Sequence, residues 1–143
     1  MSQLTHNTPV LLVDDDRVSR AVVTRAIKKL NVQNTLYTAA DGEEAIDLLQ
    51  DQMVRNAGKL PPFIVLLDVN MPRMNGLEFC EAISQNTGFE DLSIYVFASR
   101  EMPRHVRAKL DARVAGYLCK DRAVDTLGAL FHGEGYAKLT ITN

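Results

Sequence analysis

Short apolar runs alternate with amphipathic segments along the whole chain. The runs that predict strands are Val10–Val13, Thr35–Ala39, Phe63–Leu67, Ser93–Ala98 and Gly116–Cys119. Three of them contain continuous apolar stretches, which is typical of strands buried on both faces of a sheet. In the segment after the first run, Val18, Val22 and Leu30 recur at helical spacing with basic residues between them. This spacing predicts an amphipathic helix.

Four more helices are predicted in the remaining intervals. One extends from about Glu43 to Arg55, one follows Asn75-Gly76, and two begin near Pro103 and near Ala123. The alternation favours an α/β fold with a doubly wound, five-stranded parallel sheet and helices on both faces. We expect a single domain over residues 1–143, with a core from about 8 to 131 and a C-terminal tail at 132–143.

Composition limits the classes of function. The chain has 143 residues, of which 46% are hydrophobic and 24% charged, and its formal net charge is -2. These values are ordinary for a soluble globular domain, and no positive field favours nucleic acid or an anionic membrane. The apolar runs are too short to span a bilayer. Cys80 and Cys119 lie far apart, which favours reduced thiols and a cytoplasmic location.

Polar and charged side chains follow four of the five predicted strands. Asp14, Asp15 and Asp16 follow the first strand, Asp68 the third, Ser99 the fourth and Lys120 the fifth. Because the carboxyl ends of parallel strands lie at one edge of the sheet, we expect these residues to form one site.

The residue types at this edge favour phosphoryl chemistry. Clustered carboxylates repel one another unless a cation neutralises them, and Mg²⁺ prefers hard oxygen ligands. Lys120 would supply a second positive charge, and Ser99 a hydrogen bond to a phosphoryl oxygen. An aspartate in such a site can act as a nucleophile and form an aspartyl phosphate, with catalysis by in-line positioning and charge neutralisation.

Four sequence blocks carry a family resemblance. They are Leu11–Asp16, Leu66–Gly76, Phe97–Ser99 and Gly116–Lys120. In this order they resemble the receiver domains of response regulators in two-component signalling, in particular the single-domain type of the chemotaxis regulators. The resemblance covers nearly the whole core and implies a flavodoxin-like receiver fold.

The resemblance implies a nucleophile and a metal site. Asp68 would accept the phosphoryl group from a histidine kinase or a histidine phosphotransfer protein. Mg²⁺, with Mn²⁺ as a substitute, would be bound by Asp15 directly, by Asp14 often through water, by Asp68, and by the backbone carbonyl of Asn70.

The resemblance also implies a switch. Ser99 and Lys120 would hold the phosphoryl oxygens, and Tyr117 would turn inward when Ser99 moves toward the phosphate. The output would be phosphorylation-dependent contacts with an unknown protein. The domain would promote only its own phosphorylation and dephosphorylation, and would therefore not be an enzyme acting on other substrates.

The chain departs from the family pattern at two positions near the switch. Asp121 follows Lys120, where the family usually has a proline after a cis peptide bond. A cis bond before a non-proline residue costs about 2.5–4 kcal/mol, so we predict a trans bond, with a displaced loop after it. Arg100 follows Ser99, where the family usually has a small residue. We predict that its guanidinium closes over the phosphoryl group and excludes water.

The sequence alone leaves two rival functions open, and also simpler structural roles for some of these residues. An aspartate-nucleophile phosphatase usually has a second acid two residues after the nucleophile, but Asn70 occupies that position and cannot act as an acid or base. A receiver-fold scaffold that is never phosphorylated is the other rival. Asp16 is the expected N-cap of the first helix, while Ser99 could be a turn residue and Tyr117 a packing residue.

Overall fold

The computed structural model describes residues 8–30, 34–68, 75–86, 88–98 and 102–132. The strands are β1 (Val10–Val13), β2 (Leu36–Ala39), β3 (Ile64–Leu67), β4 (Ser93–Ala98) and β5 (Gly116–Cys119). They form one sheet in the order β2-β1-β3-β4-β5, and every neighbouring pair is parallel. The predicted doubly wound α/β fold is confirmed.

The helices begin close to the positions that the sequence predicts. They are α1 (Arg17–Lys29), α2 (Gly42–Arg55), α3 (Gly76–Ser84), α4 (Arg104–Asp111) and α5 (Ala123–His132), and a 3-10 helix at Lys120–Arg122 precedes α5. Asn75 caps α3 in a capping box with Glu78, which satisfies two backbone N–H groups that the helix itself leaves without partners. Helix α5 includes His132, and residues 133–143 of the predicted tail lie outside the described residues.

The core lies in two layers, one on each face of the sheet. Leu11 and Val13 of β1 pack on the layer that contains α2, α3 and α4, whereas Val10 and Leu12 pack on the layer that contains α1 and α5. All four β1 residues are buried, as the continuous apolar run predicts. None of the helices that the described residues form has the length and apolarity to cross a membrane.

The register of the sheet brings the candidate acids side by side. Val13 pairs with Leu67 across β1 and β3, so the next residues, Asp14 and Asp68, follow adjacent strand ends. The Asp68 amide donates to the Val13 carbonyl at 2.9 Å, which extends the ladder one step beyond the strands. The peptide bond between Lys120 and Asp121 is trans, as predicted.

Candidate functional site

Asp14 is the buried anchor of the site. Only 1% of its side chain is exposed. Its Oδ1 accepts a hydrogen bond from the Asp16 amide at 3.0 Å, while Oδ2 accepts from Ser19 Oγ at 2.6 Å and from Lys120 Nζ at 2.9 Å. A buried carboxylate with three donors is held in one orientation, because a rotation would break hydrogen bonds that solvent could not replace.

Two opposing effects act on the pKa of Asp14. Burial raises the pKa, since it disfavours the charged form. The hydrogen bonds from Ser19, the Asp16 amide and Lys120, together with the positive charge of Lys120, lower it by more. The net effect holds the pKa of Asp14 below its usual range, so this carboxylate is ionised at neutral pH.

Lys120 connects β5 to the two central strands. Its ammonium lies 2.9 Å from Asp14 Oδ2 and 3.7 Å from Asp68 Oδ2. The first distance is a charge-assisted hydrogen bond and the second is only an ion pair. Lys120 is therefore held by Asp14 within reach of Asp68, with 18% of its side chain exposed.

Asp14, Asp15 and Asp68 form an acidic cluster. One carboxylate oxygen from each lies within 4.8 Å of the other two. Asp15 is exposed, and 14% of the Asp68 side chain is exposed. Oxygen donors at this spacing, with Asp15 exposed to solvent, fit a hard cation such as Mg²⁺.

Asp16 does not join the cluster and instead caps helix α1. Its Oδ1 accepts from the Val18 amide at 3.0 Å. This confirms the predicted division of the three consecutive aspartates, in which Asp16 begins the helix.

Two residues of this site were missed by sequence reasoning. Ser19 is a buried hydroxyl bonded to Asp14, and the Arg20 guanidinium donates to the Asp14 main-chain carbonyl at 2.6 Å. Ser19 lies five residues after Asp14, at the third position of a helix that Asp16 caps. A polar residue on the apolar side of that helix was the feature that could have indicated it.

Tyr117 contacts α4 through its ring and its hydroxyl. The Arg107 guanidinium carbon lies 4.3 Å from the ring centroid, and the hydroxyl donates to the Asp111 carboxylate. Burial and the nearby carboxylate of Asp111 raise the pKa of Tyr117 to about 12, against a smaller opposing effect of Arg107. Three other predicted residues, Ser99, Arg100 and Asn70, lie outside the described residues.

The doubly wound sheet, with three carboxylates and a lysine at its carboxyl edge, has the arrangement expected of a receiver domain. Residues 10–132 match the family model of the response regulator receiver domain. The chain therefore belongs to the response regulator receiver domain family, as its four sequence blocks predicted.

Several curated relatives are longer proteins. Response regulator MprA of Mycolicibacterium vanbaalenii is 37% identical over 118 residues, which cover 82% of this chain and 46% of that protein. Response regulator MprA of Mycobacterium avium is 36% identical with the same coverage. The chain thus spans less than half the length of these relatives.

Solved structures share the fold over nearly their full length. Chemotaxis protein CheY4 of Vibrio cholerae has a TM-score of 0.67 and 25% identity, covering 87% of this chain and 98% of that one. A CheY-like receiver domain protein of Methanospirillum hungatei has a TM-score of 0.69, 24% identity, and coverage of 92% and 98%. The second likeness shows the fold alone.

Proposed function

We propose that this domain accepts a phosphoryl group on Asp68 from the phosphohistidine of a histidine kinase or a histidine phosphotransfer protein. The observation that carries the proposal is the position of Lys120, whose ammonium lies 3.7 Å from Asp68 while Asp14 anchors it. A cation held beside a partly exposed carboxylate at a strand end suits transfer of an anionic group.

The chemistry of this chain's own residues is a single displacement. A carboxylate oxygen of Asp68 attacks phosphorus in line, a new O–P bond forms, and the N–P bond of the donor breaks with its electron pair left on the imidazole nitrogen. Lys120 offsets the negative charge that the phosphoryl oxygens bring to the acidic cluster. Ser99 donates a hydrogen bond to one of those oxygens.

Asp15, Asp68 and the backbone carbonyl of Asn70 would hold Mg²⁺, with Asp14 contributing through water. The cation would neutralise the acidic cluster and the incoming phosphoryl group. Mn²⁺ has similar preferences for oxygen ligands and would substitute for it.

The histidine kinase or phosphotransfer protein that supplies the phosphoryl group would contact this domain at the start of helix α1. Val18 and Val22 are 69% and 45% exposed on this helix. Val22 lines a cavity of about 480 Å³, in which four basic residues outnumber the two acids Asp121 and Asp125. Exposed valines next to basic residues suit a partner surface that is partly apolar and partly acidic.

For output, we propose phosphorylation-dependent contacts between this domain and another protein, without contact to nucleic acid or membrane, in the cytoplasm. The single-domain chemotaxis-regulator type is the organisation we propose, with one receiver domain over residues 1–143. The likeness to the chemotaxis protein CheY4 of Vibrio cholerae supports this type. In this role the domain promotes only its own phosphorylation and dephosphorylation.

Incubation of the purified chain with a small phosphodonor and Mg²⁺ tests the proposal against its two rivals. A phosphoacceptor becomes labelled on about one aspartate per chain and loses the label slowly. A phosphatase releases inorganic phosphate continuously with little label on the protein, and a scaffold shows neither. Either of the last two results would overturn the proposal.

A further inference from the structure

The Asp14 carboxylate has nearly all of its hydrogen-bonding capacity in use. A carboxylate offers about four lone-pair positions, two on each oxygen. Ser19 Oγ and Lys120 Nζ take both positions on Oδ2, at 2.6 and 2.9 Å, and the Asp16 amide takes one on Oδ1. One position on Oδ1 remains, which suits contact with a water rather than direct binding of the cation.

Ser19 differs in kind from the other two donors. The Asp16 amide is fixed by the backbone at the start of α1, and Lys120 is a flexible side chain that has a second anionic neighbour in Asp68. Ser19 is 9% exposed and lies on the first turn of α1, so its hydroxyl approaches Asp14 from a rigid element. Its bond to Asp14 therefore fixes the position of Oδ2, the atom that holds Lys120.

We propose that Ser19 is a positioning residue for phosphoryl transfer to Asp68, and this inference rests on the proposed function. By taking one of the two lone pairs on Asp14 Oδ2, Ser19 limits Lys120 to a single hydrogen bond with Asp14. An ammonium has three donors. The remaining donors of Lys120 then face the side of Asp68, where the phosphoryl oxygens arrive.

Loss of the Ser19 hydroxyl has a definite structural consequence. Asp14 Oδ2 would regain a lone pair in a site with 1% side-chain exposure, and the nearest flexible donor is Lys120. The carboxylate would turn toward the ammonium and draw it away from Asp68, because a buried charge recruits any donor within reach. Transfer would slow, while the ligands proposed to bind Mg²⁺ directly, Asp15 and Asp68, would stay in place.

The first measurement compares Ser19→Ala with the wild-type protein. We expect the phosphorylation rate at saturating phosphodonor and Mg²⁺ to fall about tenfold, which corresponds to about 1.4 kcal/mol in the barrier. Mg²⁺ affinity, measured by titration calorimetry without phosphodonor, should change by less than about twofold. An unchanged rate would overturn the proposal, and so would a loss of Mg²⁺ affinity large enough to explain the slower rate.

Three variants separate positioning from stability. Ser84→Ala removes a serine hydroxyl that donates to the Glu81 carbonyl on α3, away from the site, and should leave the rate unchanged. Ser19→Cys preserves the side-chain size with a weak donor, so it should show the slower rate even if Ser19→Ala folds poorly. Ser19→Thr keeps the hydroxyl and should restore most of the rate, and a rate as low as that of Ser19→Ala would contradict the proposal.

A double-mutant cycle tests the route through Lys120. Because Ser19 acts by placing the ammonium, Ser19→Ala should have almost no further effect on the rate in a Lys120→Met background. The same tenfold loss in both backgrounds would mean that Ser19 acts elsewhere. Labelling of the wild-type protein tests the proposed function separately, so a failure of either idea is recognised independently.

Discussion

The hydroxyl of Tyr117 on β5 donates a hydrogen bond to the carboxylate of Asp111 at the end of α4. The Arg107 guanidinium, one helical turn earlier, lies over the same ring at 4.3 Å. A cation over the ring face and an acceptor for the hydroxyl together fix the ring against α4. We propose that this contact is the arrangement from which Tyr117 must be released for the inward turn that its family resemblance implies.

The Asp111 carboxylate should control the ionisation of Tyr117. In Asp111→Asn the negative charge and the best acceptor for the hydroxyl are lost, so the pKa of Tyr117 should fall from about 12 toward the ordinary value. It should stay somewhat raised, because burial is the largest cause of the shift. Tyrosinate absorbance during a pH titration measures this. Asp47→Asn, an exposed acid on α2, is the control, and equal curves for both variants would contradict the contact.

The same shift predicts a loss of stability in alkali. The unfolded tyrosine has a pKa of about 10, and the folded one about 12. Between these values the native state binds more protons than the unfolded state, so the free energy of unfolding falls as pH rises. Urea unfolding at several pH values in this window measures the fall in the free energy of unfolding. The fall seen in Tyr117→Phe comes from other groups and is subtracted from each protein. The remaining fall should be smaller for Asp111→Asn than for the wild type.

The three consecutive aspartates should separate into metal binding and helix capping. Asp16→Ala should lower the free energy of unfolding by about 1 kcal/mol through loss of the N-cap, with little change in Mg²⁺ affinity. Asp15→Asn should weaken Mg²⁺ binding strongly and leave stability unchanged or slightly higher, because it relieves repulsion within the acidic cluster. Calorimetric titration and urea unfolding of both variants provide the comparison. The reverse order would place the metal ligand one residue later.

Removal of the Lys120 charge should make stability depend on Mg²⁺. Lys120→Met leaves the buried Asp14 carboxylate without its cationic partner, which should cost roughly 2–3 kcal/mol without metal, less than for a fully buried pair. Mg²⁺ would then replace part of the lost positive charge and stabilise the variant more than it stabilises the wild type. Lys109→Met on the exposed side of α4 is the matched control. Equal stabilisation of all three proteins by Mg²⁺ would contradict this account of Lys120.

Arg100 should slow the loss of the phosphoryl group. It follows Ser99 directly in the sequence, and a guanidinium that pairs with phosphoryl oxygens excludes the attacking water. Arg100→Ala should therefore lose its label about tenfold faster than the wild type, equivalent to about 1.4 kcal/mol in the barrier. Following the decay of label in Mg²⁺ gives the rates. Equal rates would make Arg100 a bystander, and a slower variant would mean that it assists hydrolysis.

The fold could be predicted because its strands carry a strong local pattern. Val10–Val13 and the core of Phe63–Leu67 are continuous apolar runs, and the central position of β1 and β3 in the sheet explains why both of their faces are buried. The candidate acids were found for the same reason, since they follow those strands directly. Contacts between side chains of different helices and strands have no comparable local pattern in the sequence.

The contacts of Ser19 and Tyr117 illustrate what was missed. Ser19 is a polar residue on the apolar side of the first predicted helix, but this position alone does not show which group its hydroxyl contacts, so the bond to Asp14 could not be predicted. The partners of Tyr117 are Arg107 and Asp111, which lie one turn apart on α4. Both contacts depend on how the helices pack on the sheet, which periodicity alone does not specify.

The most direct test of the account is the Mg²⁺-dependent labelling of the wild type and of Asp68→Asn with a small phosphodonor. An amide in place of the carboxylate keeps the size of the side chain but cannot act as the nucleophile. The account predicts an acid-stable, base-labile label on the wild type and none on Asp68→Asn, with circular dichroism showing that both proteins are folded. Undiminished labelling of folded Asp68→Asn would show that another residue accepts the phosphoryl group.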